Sequence, residues 1–236
     1  MDTSAARTIT TEDDPLEREN EMLAYVEEHA TKGDAKSVVD AIDAFCWDHR
    51  FMMHAGDKKG EIIDGVVADA SVVVELGMYV GYSATRMAAA APPTTPIVSV
   101  EPHEGRAAIA QKVFEVAGVA ERVTWLKGTA ADVFPSLSAR LKDLLGVESL
   151  AEIPKIVFFF DHVKDAYVHD LQLGEELGLF PKGTVVVADN VIYPGAPDFL
   201  DYVRSSEEWE CSHHPGFLEY STEIVDGIEV CVRKSE

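Results

Sequence analysis

The segment that most constrains the fold is VVVELGMYVGYSA, which spans residues 72–84. Its apolar start predicts a buried β-strand, and Gly77 and Gly81 predict a tight turn from that strand into a helix. In open α/β sheets, small-molecule ligands bind where such a turn reaches a helix N-terminus. The segment therefore predicts a cofactor loop. Taken alone, it leaves open that the glycines serve only the turn.

Short apolar runs alternate with helical patterns beyond this segment. The predicted strands are SVVVE, PIVSVE, RVTWLKG, KIVFFFD and GTVVVAD, near residues 72, 97, 122, 156 and 183. Near-continuous runs of Val, Ile and Phe are typical of parallel strands that helices cover on both faces. We therefore expect an α/β fold with a doubly wound, Rossmann-like sheet.

The two ends of the chain add further elements to this sheet. Helical periodicity predicts three N-terminal helices over residues 15–31, 35–49 and 57–69. Two antiparallel strands are predicted at one sheet edge between about 208 and 233, which completes a mostly parallel, seven-stranded sheet. We expect residues 1–14 to form a disordered polar tail and residues 15–236 to form a single domain.

Composition restricts the partners and the compartment. The net charge of −22 argues against nucleic acid or an anionic membrane as a partner. No apolar run approaches the length of a transmembrane helix, and the N-terminus lacks a secretory signal. The three cysteines Cys46, Cys211 and Cys231 fit a reducing compartment and no disulfide framework. We expect a cytoplasmic protein.

Acidic residues accompany the predicted cofactor loop. Glu75 ends the first strand of the sheet, and Glu101 follows the second strand, where an acid suits the two hydroxyls of a ribose. The spacing E-x-G-x-x-x-G lacks the close glycine pair with which dinucleotide-binding loops approach a pyrophosphate. A sulfonium cofactor such as S-adenosylmethionine carries no phosphate and favours acids near its amino and ribose groups.

Oxygen donors follow two later strands. Asp161 comes after IVFFF, and Asp189 and Asn190 come after TVVVA. Asp161 alone would be a typical helix cap, but three oxygen donors at the tips of successive strands favour a magnesium site over a zinc site. Lys164 is either a solvated surface charge or, beside a dication, a general base. Glu219 taken alone is expected to be a surface acid.

These motifs together resemble catechol O-methyltransferases. The resemblance extends from about residue 20 to the C-terminal region in the family's order and is carried by SVVDAIDAFCWDHRFMMHAGDKKG, VELGMYVGYSATRMA, VEPHEG, DHVKDAY, VVADNVIYPGAPDFLDYVR and FLEY. It implies a methyltransferase fold and the transfer of a methyl group from S-adenosylmethionine to one hydroxyl of a Mg²⁺-bound catechol. A monomer is also implied.

The resemblance implies a role for each matched residue. The implied cofactor-binding residues are Met53, Glu75, Gly77, Tyr79, Ser83, Glu101, Asp161 and His162. The implied metal ligands are Asp161, Asp189 and Asn190. Lys164 would take the proton of the attacking hydroxyl and Glu219 would hold the neighbouring one, as the two catalytic residues. The implied substrate-binding residues are Phe51, Lys164, Asn190, Pro194 and Glu219.

The chain departs from the family pattern around the implied pockets. Val163 and Phe51 stand where vertebrate members carry tryptophans, and His54 stands where an asparagine is usual. Ala130 and Ala131 replace the polar pair that binds adenine, so that hydrogen bonding to the adenine edge would fall to His162 or to backbone groups. We therefore expect weaker cofactor affinity without loss of activity. The smaller Val163 also means that the family's preference for substrate shape does not carry over to this chain.

Other functions fit the sequence less well. A larger vicinal diphenol, such as a caffeoyl thioester or a flavonoid, is the nearest alternative, although a thioester's nucleotide tail would need basic residues. A nicotinamide-dependent oxidoreductase would use Glu101 and the glycines but would leave Asp161, Asp189 and Asn190 without a role. A non-catalytic binding module has no physical need for the full set of acids and Lys164. The physiological catechol and the preferred hydroxyl stay open.

Overall fold

The computed structural model describes residues 16–234, so the predicted tail over residues 1–14 lies outside the described residues. Three helices come first: α1 (Glu17–His29), α2 (Ala35–Asp48) and α3 (Gly56–Val67). The alternating region that follows comprises β1 (Val72–Leu76), α4 (Tyr82–Ala90), β2 (Ile97–Val100), α5 (Glu104–Ala117), β3 (Val123–Leu126), α6 (Ala130–Leu145), β4 (Ile156–Phe160), α7 (Tyr167–Glu176), β5 (Val185–Ala188) and α8 (Pro197–Ser205). The last two strands are β6 (Trp209–Phe217) and β7 (Val225–Arg233).

The strands form one seven-stranded sheet in the order β3-β2-β1-β4-β5-β7-β6. Strands β1 to β5 are parallel, whereas β7 runs antiparallel to β5 and β6 antiparallel to β7. The predicted doubly wound sheet with an antiparallel edge is confirmed. Since the strand order reverses between β1 and β4, the loops after these two strands flank the crevice where such sheets bind ligands.

Both faces of the sheet are buried, as the continuous apolar strands predict. Along β4, Val157 and Phe159 pack toward α1 to α5, whereas Phe158 and Phe160 pack toward α6 to α8. The period of two along a strand therefore supplies two separate cores from one apolar run. The sheet thus lies between two layers of helices, and the loops converge at the carboxyl ends of the parallel strands.

The N-terminal helices pack on the same side as α4 and α5. Helix α2 starts at Asp34, whose carboxylate accepts the amide hydrogen of Ser37 at 3.1 Å. Helix α3 packs against α4 and β6, which brings its first turns toward the antiparallel edge. None of the helices between residues 16 and 234 combines the length and apolar content that crossing a bilayer requires.

The cysteine prediction is wrong for one pair. Antiparallel pairing of β6 and β7 places Cys211 opposite Cys231, and the two form a disulfide. Cys46 is free and buried in α2. The pairing depends on the register of two strands whose cysteines are separated by 20 residues, which the spacing in the sequence does not specify.

Candidate active site

The loops after β1, β4 and β5 meet at the carboxyl edge of the sheet. Ladder hydrogen bonds continue into the predicted site residues: the Asp161 amide donates to the Leu76 carbonyl and the Asp189 amide to the Phe160 carbonyl, each at 3.0 Å. The acids at the tips of β4 and β5 thus end neighbouring strands, as the sequence predicted. Two further loops, α2–α3 and β6–β7, touch above this edge at Gly56 and Glu219, where a Cβ on Gly56 would lie 2.8 Å from Glu219 Cβ.

The loop after β1 requires glycine at Gly77. Gly77 has φ +98°, and a Cβ there would lie 2.4 Å from the Asp161 carbonyl oxygen. Tyr79 also has a left-handed backbone, with φ 49°. Its amide donates to Glu101 Oε2 at 3.0 Å, which ties the loop after β1 to the end of β2. The cofactor loop is therefore packed tightly against both neighbouring strand ends.

Glu75 supports the loop from beneath. Its carboxylate is fully buried and accepts hydrogen bonds from the hydroxyls of Ser83 and Ser99. Burial raises the pKa of Glu75 to about 7, although the two serine hydroxyls oppose the increase. The Ser83 hydroxyl, which the family match assigns to the cofactor, thus also holds Glu75.

Glu101 is buried at the end of β2. Its Oε2 accepts from the Tyr79 amide and its Oε1 accepts from the His103 amide at 2.9 Å. Each carboxylate oxygen keeps lone-pair capacity for a further donor. This arrangement orients the carboxylate and leaves it able to bind two adjacent hydroxyls.

Helix α1 contacts the cofactor loop through residues that the sequence analysis did not single out. The Tyr79 hydroxyl donates to the Glu19 carboxylate, and the Arg18 guanidinium donates to the same hydroxyl at 3.3 Å. The Arg18 side chain also donates to the Phe51 carbonyl at 3.3 Å. The N-terminal helix therefore braces two segments that carry predicted cofactor and substrate contacts.

His162 follows Asp161 in the loop after β4. Its Nε2 lies 2.9 Å from Asp170 Oδ2, and its Nδ1 is buried without a hydrogen-bond partner among the described residues. The Asp170 carboxylate thus fixes the orientation of the His162 ring and leaves Nδ1 free for a bound group. No sequence pattern pointed to Asp170.

The predicted metal ligands lie at the tips of β4 and β5. Asp161 Oδ1 accepts from Lys164 Nζ at 2.8 Å. Asp189 is fully buried, and its Oδ1 accepts from the Asn190 amide at 2.8 Å. Asn190 has a left-handed backbone with φ 57°, which turns the chain directly after the strand. Burial raises the pKa of Asp189 to about 7, although the nearby ammonium of Lys59 opposes the increase.

This donor set fits a hard divalent cation. Asp189 Oδ2 is buried and has no hydrogen-bond partner among the described residues, which is the condition of an oxygen available to a cation. Within residues 16–234, no three His, Cys, Asp or Glu side chains are arranged as a ready-made metal cage. The predicted set includes an amide, and lysine ammonium groups contact one oxygen of each aspartate. The fit therefore rests on oxygen chemistry and on the unpartnered Asp189 oxygen.

Lys164 lies between an acid and a phenol. Its Nζ is 2.8 Å from Asp161 Oδ1 and 2.9 Å from the Tyr167 hydroxyl. Burial favours the neutral amine, but the Asp161 carboxylate more than offsets it and raises the pKa of Lys164. The contacts seen here hold the lysine as an ammonium, so that loss of the Asp161 contact is needed before it can accept a proton.

Glu219 is a buried acid, in contrast to the surface position expected from its local sequence. It extends from the β6–β7 loop, and its Oε2 lies 3.4 Å from Asn190 Nδ2 and 3.6 Å from Lys59 Nζ. Burial raises the pKa of Glu219 above its ordinary range. Its side chain therefore reaches the implied metal ligands from above the sheet edge.

Two further residues of this cluster were missed by the sequence analysis. Lys59 on α3 is 1% exposed, and its Nζ lies 2.7 Å from both Asp189 Oδ1 and Asp226 Oδ2. Asp226 on β7 also accepts from Asn190 Nδ2 at 2.9 Å. In the sequence, Lys59 is one of two adjacent lysines and Asp226 precedes a glycine as in a turn, so neither has a distinguishing signal.

Exposed apolar side chains flank the cluster. Phe51 and Met53 are 46% and 54% exposed in the α2–α3 loop, and Val163, next to Lys164, is 69% exposed. Tyr193 is also exposed and precedes Pro194 in the turn after Asn190. Exposed large apolar residues are a common feature of ligand-binding surfaces. The exposure of Phe51, Val163 and Pro194 is consistent with the substrate-binding roles that the resemblance implies.

Comparisons with known proteins agree with the fold and the motifs. The profile of the O-methyltransferase family matches residues 43–206. A catechol O-methyltransferase of Bos taurus is 45% identical over 219 residues, covering 92% of this chain and 77% of the relative. One of Sus scrofa is 47% identical over 184 residues, covering 77% of this chain and 94% of the relative.

Solved structures share the architecture at lower identity. An O-methyltransferase from Streptomyces achromogenes in complex with S-adenosylmethionine superimposes with a TM-score of 0.66 at 21% identity, covering 94% of this chain and all of that chain. That likeness supports the fold, and the sequence relatives define the family. The chain therefore belongs to the O-methyltransferase family and, within it, to the catechol O-methyltransferases.

Proposed function

We propose that this protein transfers a methyl group from S-adenosylmethionine to one hydroxyl of a catechol, with Mg²⁺ as the metal. The observation that carries the proposal is the convergence of Asp161, Asp189 and Asn190 at neighbouring strand tips beside Lys164 and Glu219. A loop suited to a cofactor without phosphate lies at the adjacent strand. Family membership supports the same assignment.

The cofactor would lie along the loop after β1. Met53, Gly77, Tyr79 and Ser83 would contact its methionine portion, with Glu75 holding the loop in place. Glu101, oriented by two backbone amides, would bind the ribose hydroxyls. His162 Nδ1 is a buried acceptor suited to the adenine amino group. S-adenosylmethionine supplies an electrophilic methyl group on a sulfonium.

The metal would be held by oxygen atoms of Asp161, Asp189 and Asn190. Magnesium supplies Lewis acidity, which lowers the pKa of a bound hydroxyl. Asp189 Oδ2 is the oxygen that has no other partner among the described residues. Two adjacent hydroxyls can bind one cation together, which explains why a catechol is favoured over a simple phenol.

Lys164 would remove the proton of the attacking hydroxyl. A phenol with a pKa of about 10 is mostly protonated at neutral pH, so a base at this position has a role. Asp161 cannot serve a cation and the Lys164 ammonium equally well, and a weakened ion pair favours the neutral amine. Glu219 would accept a hydrogen bond from the second hydroxyl and so fix the ring. Alignment of this kind contributes on the order of 7–11 kcal/mol in favourable cases.

A larger vicinal diphenol is a second candidate substrate. The exposed Val163 and the open apolar rim with Phe51 favour it, because a valine leaves room where vertebrate relatives carry an indole. An acidic chain with net charge −22 disfavours a thioester with a nucleotide tail. A flavonoid-type diphenol therefore fits this rim better than a caffeoyl thioester does.

We further expect a monomer that acts in the cytoplasm on small molecules. The net charge of −22 repels nucleic acid and anionic lipid surfaces, as well as a second copy of the chain. The Cys211–Cys231 disulfide counts against a strongly reducing compartment.

The test is methyl transfer from S-adenosylmethionine to catechol in the wild-type enzyme and in Lys164→Ala. We expect kcat to fall by about 10²–10⁴-fold in the variant, the usual contribution of a general base. Lys36→Ala is the matched control, since Lys36 is an exposed lysine on α2 that pairs with the exposed Asp40. Wild-type turnover in Lys164→Ala would contradict the assignment of the base.

A further inference from the structure

A buried ion pair lies behind the implied metal ligands. Lys59 Nζ contacts Asp226 Oδ2 at 2.7 Å, and the two side chains are 1% and 0% exposed. The pair joins α3 to β7, which are far apart in the chain. A buried ion pair is weak evidence for stability by itself, so its contacts with the ligands are what matter.

We propose that Asp226, balanced by Lys59, is a positioning residue that determines which atom of Asn190 and which oxygen of Asp189 are available to the metal. This inference rests on the metal site of the proposed function. It concerns two residues that do not themselves belong to the ligand set. Their effect on metal affinity is exerted through the side chains that they contact.

Asp226 orients the side-chain amide of Asn190. Asn190 Nδ2 donates to Asp226 Oδ2 at 2.9 Å, so the amide nitrogen is directed toward β7 and the amide oxygen away from Asp226. The opposite rotamer would bring an amide oxygen against a carboxylate, which is repulsive. Asp226 thus keeps the oxygen of Asn190, the only atom of the amide that can ligate magnesium, free of this contact.

Asp226 also fixes the turn that follows Asn190. Its Oδ1 accepts from the Tyr193 amide at 2.9 Å and from the Ile192 amide at 3.3 Å. One carboxylate therefore holds both the side chain of Asn190 and the backbone leading to Pro194. Asp226 therefore positions the implied metal ligand Asn190 and the implied substrate contact Pro194 together.

Lys59 acts on the other ligand, Asp189. Lys59 Nζ and the backbone amide of Asn190 both contact Asp189 Oδ1, at 2.7 and 2.8 Å. Oδ2 is therefore the oxygen of Asp189 without a partner in the described part of the chain. Outer partners of this kind orient ligands and typically affect metal affinity by about 10–100-fold. Lys59 thus leaves Oδ2 as the Asp189 oxygen that would be available to a cation.

The charges of the cluster point to a dication. Four carboxylates, those of Asp161, Asp189, Glu219 and Asp226, share two ammonium groups, Lys59 and Lys164. The formal charge that remains is −2, which a divalent cation neutralises. Lys59 therefore reduces the charge of the site without occupying the unpartnered oxygen of Asp189.

The test is Mg²⁺ affinity of the full chain with bound S-adenosylmethionine, measured by isothermal titration calorimetry in wild type and Asp226→Asn. The asparagine keeps an oxygen acceptor in place of Oδ1, but its side-chain NH₂ group replaces Oδ2 and so faces the donors of Asn190 and Lys59 with another donor. We expect about 10–100-fold weaker Mg²⁺ binding. The control is Glu229→Gln, because Glu229 is a buried carboxylate on the same strand that pairs with Arg204 and His213. In EDTA, the thermal midpoint and the cofactor affinity of Asp226→Asn should match those of this control.

Asn190→Asp provides a second, independent measurement. If charge alone determined affinity, an added carboxylate would tighten Mg²⁺ binding. Positioning by Asp226 predicts weaker binding, because two carboxylates would face each other where an amide now donates. Tighter binding in Asn190→Asp would overturn the proposal.

The remaining outcomes are also distinct. Wild-type Mg²⁺ affinity in Asp226→Asn would overturn the positioning role and leave the proposed function intact. A loss of thermal stability and cofactor affinity in Asp226→Asn that clearly exceeds that of Glu229→Gln would show a merely structural role and would also overturn it. Absence of Mg²⁺ binding in the wild type would overturn the proposed function together with this inference.

Discussion

At the residue scale, the site contains buried acids whose pKa values are raised by burial. Glu75 is fully buried with two serine hydroxyls as donors, and its pKa of about 7 lies well above its ordinary value of 4.5. A folded-state pKa above the unfolded one means that the folded protein binds more protons between these values. Stability contributed at Glu75 is therefore present at low pH and is lost as the pH rises toward about 7.

Glu75→Gln should remove this pH dependence. The shift corresponds to about 3 kcal/mol across the window, so the free energy of unfolding of the wild type should fall more steeply than that of the variant between pH 5 and pH 7.5. Urea denaturation in EDTA at several pH values measures both slopes. Parallel slopes in wild type and variant would show that Glu75 does not titrate in this range.

A single residue also limits the expected cofactor affinity. Ala131 is exposed in the first turn of α6, and the resemblance implies that Ala130 and Ala131 replace a polar pair that binds adenine. One added hydrogen bond contributes about 0.5–1.5 kcal/mol, so Ala131→Gln should strengthen S-adenosylmethionine binding roughly 2–10-fold by calorimetry. Ala151→Gln, an exposed site before β4, is the control. Unchanged affinity in Ala131→Gln would indicate that His162 already provides the adenine contact.

Sequence reasoning identified residues at strand ends and missed their supporting partners. Asp161 and Asp189 were predictable because an acid that ends an apolar strand is conspicuous and its location at the sheet edge follows from the fold. Lys59 and Asp226 act through contacts between elements distant in sequence, whereas Asp170 contacts His162 from the next helix along the chain. The local patterns of all three resemble ordinary surface residues. The burial of Glu219 depends on how the β6–β7 loop folds back, which no local pattern specifies.

At the element scale, the turn after β1 links the cofactor loop to the metal ligands. A Cβ at Gly77 would lie 2.4 Å from the Asp161 carbonyl oxygen and 2.7 Å from its carbonyl carbon. The two strand ends are thus packed with backbone against backbone. A change in one loop must displace the other, because neither contact involves a flexible side chain.

Gly77→Ala should therefore weaken both cofactor and Mg²⁺ binding. Gly146→Ala is the control, since Gly146 also has a positive φ, of +66°, but a Cβ there would meet nothing within 4 Å. The control should lose only about 1–2 kcal/mol of stability from backbone strain. Calorimetry and urea denaturation measure the comparison. Equal effects in the two variants would contradict coupling between the loops.

The elements themselves were largely predictable, and the pairing between them was less so. Continuous Val, Ile and Phe runs predicted the five parallel strands because burial on both faces removes polar alternation. The antiparallel edge was predicted from strand-like runs between about residues 208 and 233. Its register was not, so the opposition of Cys211 and Cys231 became evident only from the paired strands.

At the scale of the whole molecule, Lys59 connects parts of the chain that are remote in sequence. It lies on α3 and contacts acids at the end of β5, on β7 and in the β6–β7 loop. The three acids repel one another, and the net charge of −22 on the chain adds to this repulsion. The buried ammonium of Lys59 compensates it. Closure of the C-terminal edge over the sheet should therefore depend on it.

Lys59→Met should lose about 3–5 kcal/mol of stability in EDTA, because it leaves buried carboxylates without their countercharge. Added Mg²⁺ should stabilise the variant less than the wild type, because Asp189 then lacks the Lys59 contact that leaves its Oδ2 to the cation, and weaker binding to the folded state stabilises it less. Lys127→Met, which removes an exposed pair with Glu104, should change little. Thermal unfolding with and without Mg²⁺ checks this. An equal Mg²⁺ response in all three proteins would contradict it.

The measurement that tests the central claim most directly compares methyl transfer from S-adenosylmethionine to catechol and to phenol, each with Mg²⁺ and with EDTA. The account predicts turnover of catechol only in the presence of Mg²⁺ and background rates for phenol in both conditions, because two adjacent oxygens must bind one cation. Catechol turnover that persists in EDTA, or phenol turnover that equals it, would contradict a metal-centred site at Asp161, Asp189 and Asn190.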